Sequence, residues 1–112
     1  MKSAEIVHIE RDEHRIAFTL SVPQGLCYFP DHFAVFPLLP GVVQIDWAVA
    51  YAKTYFTLAT ATKRLEQVKF QAPIRPGDTV QLVLQFEAQK NRVSFYYDSA
   101  RGRHSSGRIV FD

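Results

Sequence analysis

The chain has little cysteine, little net charge and no long apolar run, and each lack excludes a class of protein. The single cysteine, Cys27, cannot form an internal disulfide framework or a cysteine-based zinc site. A net charge of +2, without a dense block of Lys and Arg, argues against a nucleic-acid partner. No stretch approaches the roughly 20 apolar residues of a membrane span, and no signal peptide is recognisable at the start. We therefore expect a cytoplasmic protein that binds neither nucleic acid nor membrane.

The residues that are present predict one folded domain over 1–112. Of the 112 residues, 47% are hydrophobic and 13% aromatic, which is too apolar for a disordered chain. Alternating or apolar runs predict strands at 4–10, 14–22, 64–72, 79–88, 92–99 and 105–111. Five prolines and glycines across residues 23–40 predict a long irregular loop, and loops of that length are usually functional.

One helix is predicted, from about Val42 to Thr57. It is apolar almost all round, which indicates that the rest of the chain buries it. Its aromatic residues should line either the core or a tunnel: Trp47, Tyr51, Tyr55 and Phe56. Several antiparallel strands and one buried helix predict an α+β fold, with the sheet wrapped around the helix.

The segment from Asp31 to Asp46 carries the candidate chemistry. His32 lies in the proline-rich loop, and Asp46 follows fourteen residues later in the first turns of the helix. Pro40 and Gly41 mark the helix start, where free N–H groups and the helix dipole favour negative charge. A base, an acid and an oxyanion donor this close together indicate proton chemistry next to a carbonyl.

Each of these residues also has a plainer interpretation. His32 could be a loop histidine bonded to a neighbour, although the proline-rich loop and the downstream acid favour catalysis. Asp46 could be an ordinary acid at a helix start. Its apolar neighbours instead predict a buried carboxylate, and because burial of an unpaired carboxylate costs free energy, a function explains it better. Gln44 could hold a water molecule or the acid, or could simply pack. The spacing of the other histidines suggests no metal site.

The segment resembles the beta-hydroxyacyl-acyl carrier protein dehydratases of the hotdog-fold superfamily. Their motif pairs a His-Phe-Pro loop with a Pro-Gly-led helix that carries Glu or Asp, and the match runs from His32-Phe33 through Pro40-Gly41 to Asp46. A second match, Val68-Lys69-Phe70 with Pro73 and Pro76-Gly77-Asp78, follows at a compatible spacing. Three positions depart from the family: Ala34 replaces a proline, Asp31 replaces a glycine, and the acid is Asp rather than Glu.

The resemblance implies a reaction and roles for the residues. A 3-hydroxyacyl thioester on acyl carrier protein would lose water to give the trans-2-enoyl thioester, without a metal or an organic cofactor. His32 would be the base, the Gly41 N–H would face the thioester carbonyl, and Asp46 would serve the departing hydroxyl. The expected substrate-binding residues are Gly41, Val42, Phe33, Pro40 and Gln44. A homodimer or larger homo-oligomer is implied, in which His32 of one chain meets Asp46 of the other.

Two other functions remain open at this point. A thioesterase of the same superfamily would use an acid to activate water or attack the thioester, and the histidine in the loop argues against it. A catalytically silent acyl-binding subunit is allowed by Ala34 and Asp31, because they alter the loop that holds the base. Within the dehydratases, Val42 to Trp47 looks similar to the small enzymes of aryl polyene and related lipid-like pathways. Only Asp46 and Lys53 carry charge between Val42 and Phe56, which suits an apolar or conjugated acyl tail.

Overall fold

The computed structural model describes residues 4–23 and 38–112, which form one six-stranded antiparallel sheet and one long helix. The order of the strands across the sheet is β1-β2-β4-β5-β6-β3. The elements are β1 (Glu5–Arg11), β2 (Arg15–Ser21), α1 (Gly41–Tyr55), β3 (Thr62–Phe70), β4 (Thr79–Glu87), β5 (Arg92–Ser99) and β6 (Gly102–Phe111). The predicted α+β plan is confirmed.

The strand predictions are accurate to within three residues. β5 has its predicted bounds, and β6 begins at Gly102 rather than Ser105. The earlier start follows from an irregularity, because the pairing shifts register between Tyr97 and Asp98 and the chain stays in the ladder as far as Gly102. The predicted loop over 23–40 lies mostly outside the described residues.

The core lies between the concave face of the sheet and α1. Along β2, the alternation found in the sequence places Ile16, Phe18 and Leu20 on the inner face, and each is 0% exposed. Matching rows on β4, β5 and β6 complete this face with Leu82, Leu84, Val93, Phe95, Tyr97, Ile109 and Phe111. The sheet therefore offers a continuous apolar surface to the helix.

The sheet covers only one side of α1. Its buried residues are Val43, Gln44, Trp47, Ala48 and Ala52. Val42, Asp46 and Ala50 recur at intervals of four residues on the opposite side and are exposed, Val42 at 65%. The prediction of a helix buried all round is therefore wrong for the single chain, because one sheet cannot enclose a helix.

The outer face of the sheet carries a network of ion pairs around Glu66 of β3. Arg64 Nε lies 2.8 Å from Glu66 Oε2, and Arg108 Nε lies 3.8 Å from Glu66 Oε1. Arg92 pairs with Glu87 and also approaches Glu66. The hydrogen bond from Arg64 lowers the pKa of Glu66, and that from Arg92 lowers the pKa of Glu87. Both carboxylates are consequently more stable as anions in the folded chain.

These pKa shifts predict a loss of stability in acid. A lowered carboxyl pKa stabilises the fold above the unfolded value of about 4.3, and that stability is lost as the pH falls through the folded pKa. We expect the melting temperature of the Glu66→Gln variant to fall less than that of the wild type between about pH 6 and pH 3. Glu5→Gln, at an exposed position of β1, is the control. Parallel pH curves for the wild type and Glu66→Gln would contradict the prediction.

Gly107 of β6 is required by the packing of the core. A Cβ atom there would lie 2.8 Å from Cε2 of Phe95 and 3.1 Å from Cγ2 of Val68. Phe95 is 1% exposed and cannot swing aside. We expect Gly107→Ala to lower the free energy of unfolding by about 1–3 kcal/mol through overpacking. Urea denaturation measures this, and an unchanged midpoint would show that the ring can move.

Candidate active site

A cavity of about 420 Å³ opens at the N-terminal end of α1. Leu38, Leu39, Gly41 and Gln44 line it on the helix side, and residues 70–73, which follow from the end of β3, line the other. The lining is mostly apolar, and backbone from the helix start reaches its wall. Cavities of this size and character bind small organic groups.

The helix begins at the wall of this cavity. Pro40 precedes the first turn, and its carbonyl accepts hydrogen bonds from the N–H groups of Val43 (3.1 Å) and Gln44 (3.2 Å). Helix geometry leaves the earliest N–H groups without partners inside the helix, and the dipole adds positive potential there. The wall next to Gly41 therefore suits an oxygen that gains negative charge.

Gly41 allows an aromatic ring to lie against the helix start. A Cβ atom at this position would lie 2.6 Å from Cζ of Phe70. Phe70 stands at the end of the edge strand β3 and is 54% exposed, so its ring is free to turn toward solvent. The ring and the glycine together shape the mouth of the cavity.

Gln44 lies at the cavity wall but bonds to protein at both ends of its amide. Its Nε2 donates to the carbonyl of Leu39 at 3.2 Å, and its Oε1 accepts from the hydroxyl of Ser105 at 2.6 Å. The residue is 3% exposed. These contacts favour the packing alternative for Gln44 over the holding of a water molecule or an acid.

Asp46 does not lie where the sequence predicted. The carboxylate was expected to be buried among apolar neighbours, but it is exposed and does not line the cavity next to Gly41. Asp46 is the second residue after Gln44, a rotation of about 200° that carries Asp46 to the opposite side of α1. One chain thus presents the helix start to its own cavity and the acid to its outside.

The remaining sequence candidates are placed as follows. His32, Phe33 and Cys27 lie outside the described residues. His8 and His14 are exposed on the first hairpin. Elsewhere the buried His104 contacts the Ser99 hydroxyl at 2.7 Å and the Ala72 carbonyl at 3.3 Å, so a structural role suits it. Within residues 4–23 and 38–112, no three His, Cys, Asp or Glu side chains come together as metal ligands.

The helix aromatics pack on the sheet. Tyr51 stacks on Phe18 with ring centroids 5.0 Å apart, and Tyr55 meets the same ring edge-on at 5.0 Å. Phe56 contacts Phe86 of β4 at 5.2 Å, and Trp47 is buried. Burial, followed by the neighbouring Tyr55, raises the pKa of Tyr51. These contacts favour core packing over a tunnel wall within the single chain.

Two polar residues near the site were not singled out from the sequence. Tyr97 and Ser105 are both 0% exposed and both bond to Gln44. The sequence does carry a signal for Ser105. It is a hydroxyl-bearing residue in the inner row of β6, which continues with Gly107, Ile109 and Phe111. Buried polar groups need partners, so such positions point to a specific contact.

The profile of the ApeI-like family, described as ApeI dehydratase, matches residues 8–108 of the chain. The chain belongs to the ApeI-like family. A structure from Xenorhabdus doucetiae, titled the dehydratase heterocomplex ApeI:P, has 35% sequence identity and a TM-score of 0.90, and the alignment covers 98% of each chain. An uncharacterised protein from Erwinia carotovora is 32% identical with a TM-score of 0.87 and covers 99% of this chain and 97% of its own. The expected hotdog fold is confirmed.

The chain is also similar to a dehydratase of the FabZ type. The 3-hydroxyacyl-[acyl-carrier-protein] dehydratase FabZ of Nitrosospira multiformis is 31% identical over an alignment of 94 residues, and this alignment covers 74% of this chain and 62% of the relative. The chain therefore spans about three fifths of the length of that FabZ. In the part of the ApeI-like chain that the structure describes, the helix is not long and apolar enough to cross a membrane.

Proposed function

We propose that the chain dehydrates a 3-hydroxyacyl thioester, carried on acyl carrier protein, to the trans-2-enoyl thioester. Membership of the ApeI-like family and the similarity to FabZ support the reaction class. The observation that carries the proposal is the position of the cavity, which places the start of α1, with Gly41, at its wall. A carbonyl oxygen bound there would meet the positive end of the helix.

The proposed reaction needs one base, one acid and one anion-stabilising donor. His32 removes a proton from the carbon next to the thioester carbonyl, and the electrons move onto the carbonyl oxygen. The Gly41 N–H stabilises that oxygen while the negative charge is present. As the enolate collapses, the hydroxyl on the next carbon leaves with a proton from Asp46 as water. One proton is taken and one is returned, so the reaction is balanced.

We propose that the complete site needs two chains. Asp46 lies on the exposed side of α1, away from the cavity that Gly41 lines, so one chain does not bring the two together. Val42 and Ala50 flank Asp46 on this exposed side, and a partner chain that covered them would remove apolar area from water. In the two-fold homodimer, the Asp46 of each chain would serve the Gly41 and His32 of its partner.

The edge of the sheet supports the same assembly. β3 is an edge strand, and Leu65 and Phe70 on it are 41% and 54% exposed. Pairing of β3 with its two-fold copy would satisfy the free edge in one continuous sheet. Since the Xenorhabdus relative is described in a heterocomplex, a dimer with a second dehydratase-like chain is the alternative assembly. Sedimentation of the purified chain distinguishes the homodimer from the dimer with a second chain, because only the homodimer can form from one polypeptide.

We also propose an apolar or conjugated acyl tail as the substrate class. Between Val42 and Phe56, only Asp46 and Lys53 carry charge, and the cavity next to Gly41 is mostly apolar. The ApeI-like family adds support for an aryl polyene tail. Rates on matched saturated and aryl-polyene thioesters test this. A clear preference for a short saturated tail would reject the polyene while leaving the dehydration standing.

Turnover of a defined thioester tests the proposed reaction itself. The purified chain is incubated with a 3-hydroxyacyl carrier protein, and the bound acyl group is followed by mass spectrometry. Loss of one water without release of carrier thiol is the expected result. Release of free thiol would identify a thioesterase. Binding without any turnover would identify a silent acyl-binding subunit.

The Gly41→Ala substitution should lower activity with little effect on stability. The new methyl group meets Phe70, whose ring is half exposed and can turn aside, so the fold should tolerate it. The methyl group and the displaced ring then occupy the cavity mouth, and we expect kcat/KM to fall by about 10²-fold. Phe70→Ala in the same chain should restore part of the loss. If Gly41→Ala lowered the melting temperature as much as Gly107→Ala does, the prediction that it affects activity and not stability would be contradicted.

A further inference from the structure

Two neighbouring strands present hydroxyl groups to one residue of α1. Tyr97 of β5 and Ser105 of β6 lie opposite each other in the sheet, and both are 0% exposed. The Tyr97 hydroxyl donates to the backbone carbonyl of Gln44 at 2.7 Å. The Ser105 hydroxyl donates to the side-chain Oε1 of Gln44 at 2.6 Å. One cross-strand pair therefore holds the first turn of the helix at two points.

The chemistry of the partners permits only one arrangement of the Gln44 amide. The carbonyl of Leu39 can only accept, so the amide nitrogen must face it, at 3.2 Å. The amide oxygen is thereby directed at Ser105, whose hydroxyl has to donate. If the Ser105 hydroxyl were removed, the Gln44 amide oxygen would stay buried but lose this donor. A buried acceptor that lacks a donor carries a desolvation penalty. The hydrogen bond from Ser105 thus fixes the orientation of the Gln44 side-chain amide.

The bonds of Gln44 continue to the junction before the helix. Leu39 accepts from Gln44 and also donates its own N–H to the carbonyl of Ile74 at 2.7 Å. Gly41 lies between Leu39 and Gln44 in the chain, so one of its flanks is bonded to the segment between β3 and β4 and the other to β5 and β6. The direction of the Gly41 N–H then depends on hydrogen bonds to Tyr97, Ser105 and Ile74, which do not line the cavity.

We propose that Ser105, together with Tyr97, is a positioning residue that acts through Gln44 to aim the Gly41 N–H into the cavity. The inference rests on the proposed dehydration, in which that N–H stabilises the enolate oxygen. A donor that is held in place before the reaction needs no reorganisation when charge develops. Loss of the positioning contact should therefore slow the chemical step more than it weakens binding of the thioester.

Burial supports the role of Tyr97 as a donor. Removal from water, followed by the effect of Tyr51, raises the pKa of Tyr97 well above its usual range. The phenol therefore stays protonated and keeps donating to Gln44 in any ordinary assay buffer.

Neighbouring residues on the outer face provide matched kinetic controls. Tyr96 and Ser106 stand next to Tyr97 and Ser105 but belong to the opposite row, where Arg103 lies over the Tyr96 ring at 3.9 Å. We expect Ser105→Ala and Tyr97→Phe each to lower kcat about tenfold with KM within about twofold of wild type. Ser106→Ala and Tyr96→Phe should leave both constants within about twofold of wild type.

A double substitution tests whether Ser105 acts through Gln44. In a Gln44→Leu chain the hydroxyl has no amide to orient, so adding Ser105→Ala should change kcat no further. Independent losses that multiply in the double variant would overturn the proposal. So would a rise in KM at unchanged kcat in Ser105→Ala, or an equal loss of kcat in Ser106→Ala.

Hydrogen exchange separates this inference from the proposed reaction. Deuterium uptake of the segment 39–46, followed by mass spectrometry, should be faster in Ser105→Ala than in wild type and unchanged in Ser106→Ala. If the wild type does not dehydrate any thioester, the proposed function fails, and this measurement still decides whether Ser105 anchors the helix start. Equal uptake in wild type, Ser105→Ala and Tyr97→Phe would overturn the anchoring.

Discussion

Asp46→Asn should lower kcat/KM by about 10²- to 10⁴-fold, the range in which a positioned general acid contributes. The amide has nearly the shape of the carboxylic acid but cannot give a proton to the departing hydroxyl. Because Asp46 is exposed on α1, the substitution removes no contact of the core, and the melting temperature should stay close to wild type. Steady-state rates and thermal unfolding of the same preparation provide both results.

The same exposed side of the helix supplies the control for this prediction, at a position further from the helix start. Thr54 is exposed eight residues after Asp46 on α1, and Thr54→Ala should leave the rate within about twofold of wild type. A wild-type rate in Asp46→Asn would end the acid role of Asp46. A rate that falls only in proportion to a lowered melting temperature would assign the effect to folding instead.

Phe18→Ala should be the most destabilising of the single substitutions considered, by about 3–5 kcal/mol in the free energy of unfolding. Phe18 is 0% exposed, and its ring contacts both Tyr51 and Tyr55. Phe18 therefore packs β2 against the second half of α1. Truncation loses that buried area and leaves a cavity that the sheet and helix cannot both close.

Val7→Ala is the control for the stability effect. Val7 is 59% exposed on β1, at the edge of the sheet opposite to β3 and to the proposed dimer contact, so the free energy of unfolding should change by about 0.5 kcal/mol or less. Urea denaturation of the two variants gives the comparison. Similar losses at Phe18 and Val7 would show that the helix is not held by the cluster at Phe18.

The elements of the fold were predictable because their signals are local. The alternation in β2 and the proline and glycine at Pro76-Gly77 each lie within a few residues of the feature that they specify. Gly77 adopts a φ of 85°, as the turn requires, and Asp78 accepts the N–H of Arg75 at 2.8 Å to close it. Such features depend little on the rest of the chain.

The candidate site was predictable only in part, because its geometry depends on distant residues. The apolar neighbours of Asp46 in sequence suggested burial, yet whether a helix position is buried depends on what the sheet covers. The partners of Gln44 lie 53 and 61 residues away along the chain, at Tyr97 and Ser105. No local pattern specifies which hydroxyl meets which amide, so the network became visible only in the folded chain.

Mixing two inactive variants tests the shared dehydratase site most directly. His32→Ala and Asp46→Ala chains are unfolded together, refolded in equal amounts and assayed for water loss from a 3-hydroxyacyl carrier protein. Random pairing makes half of the dimers mixed, with one of their two sites intact, so about a quarter of the wild-type activity should return. The separate variants should remain at about 1% of wild type or below. A mixture no more active than its parts would contradict a site built from two chains.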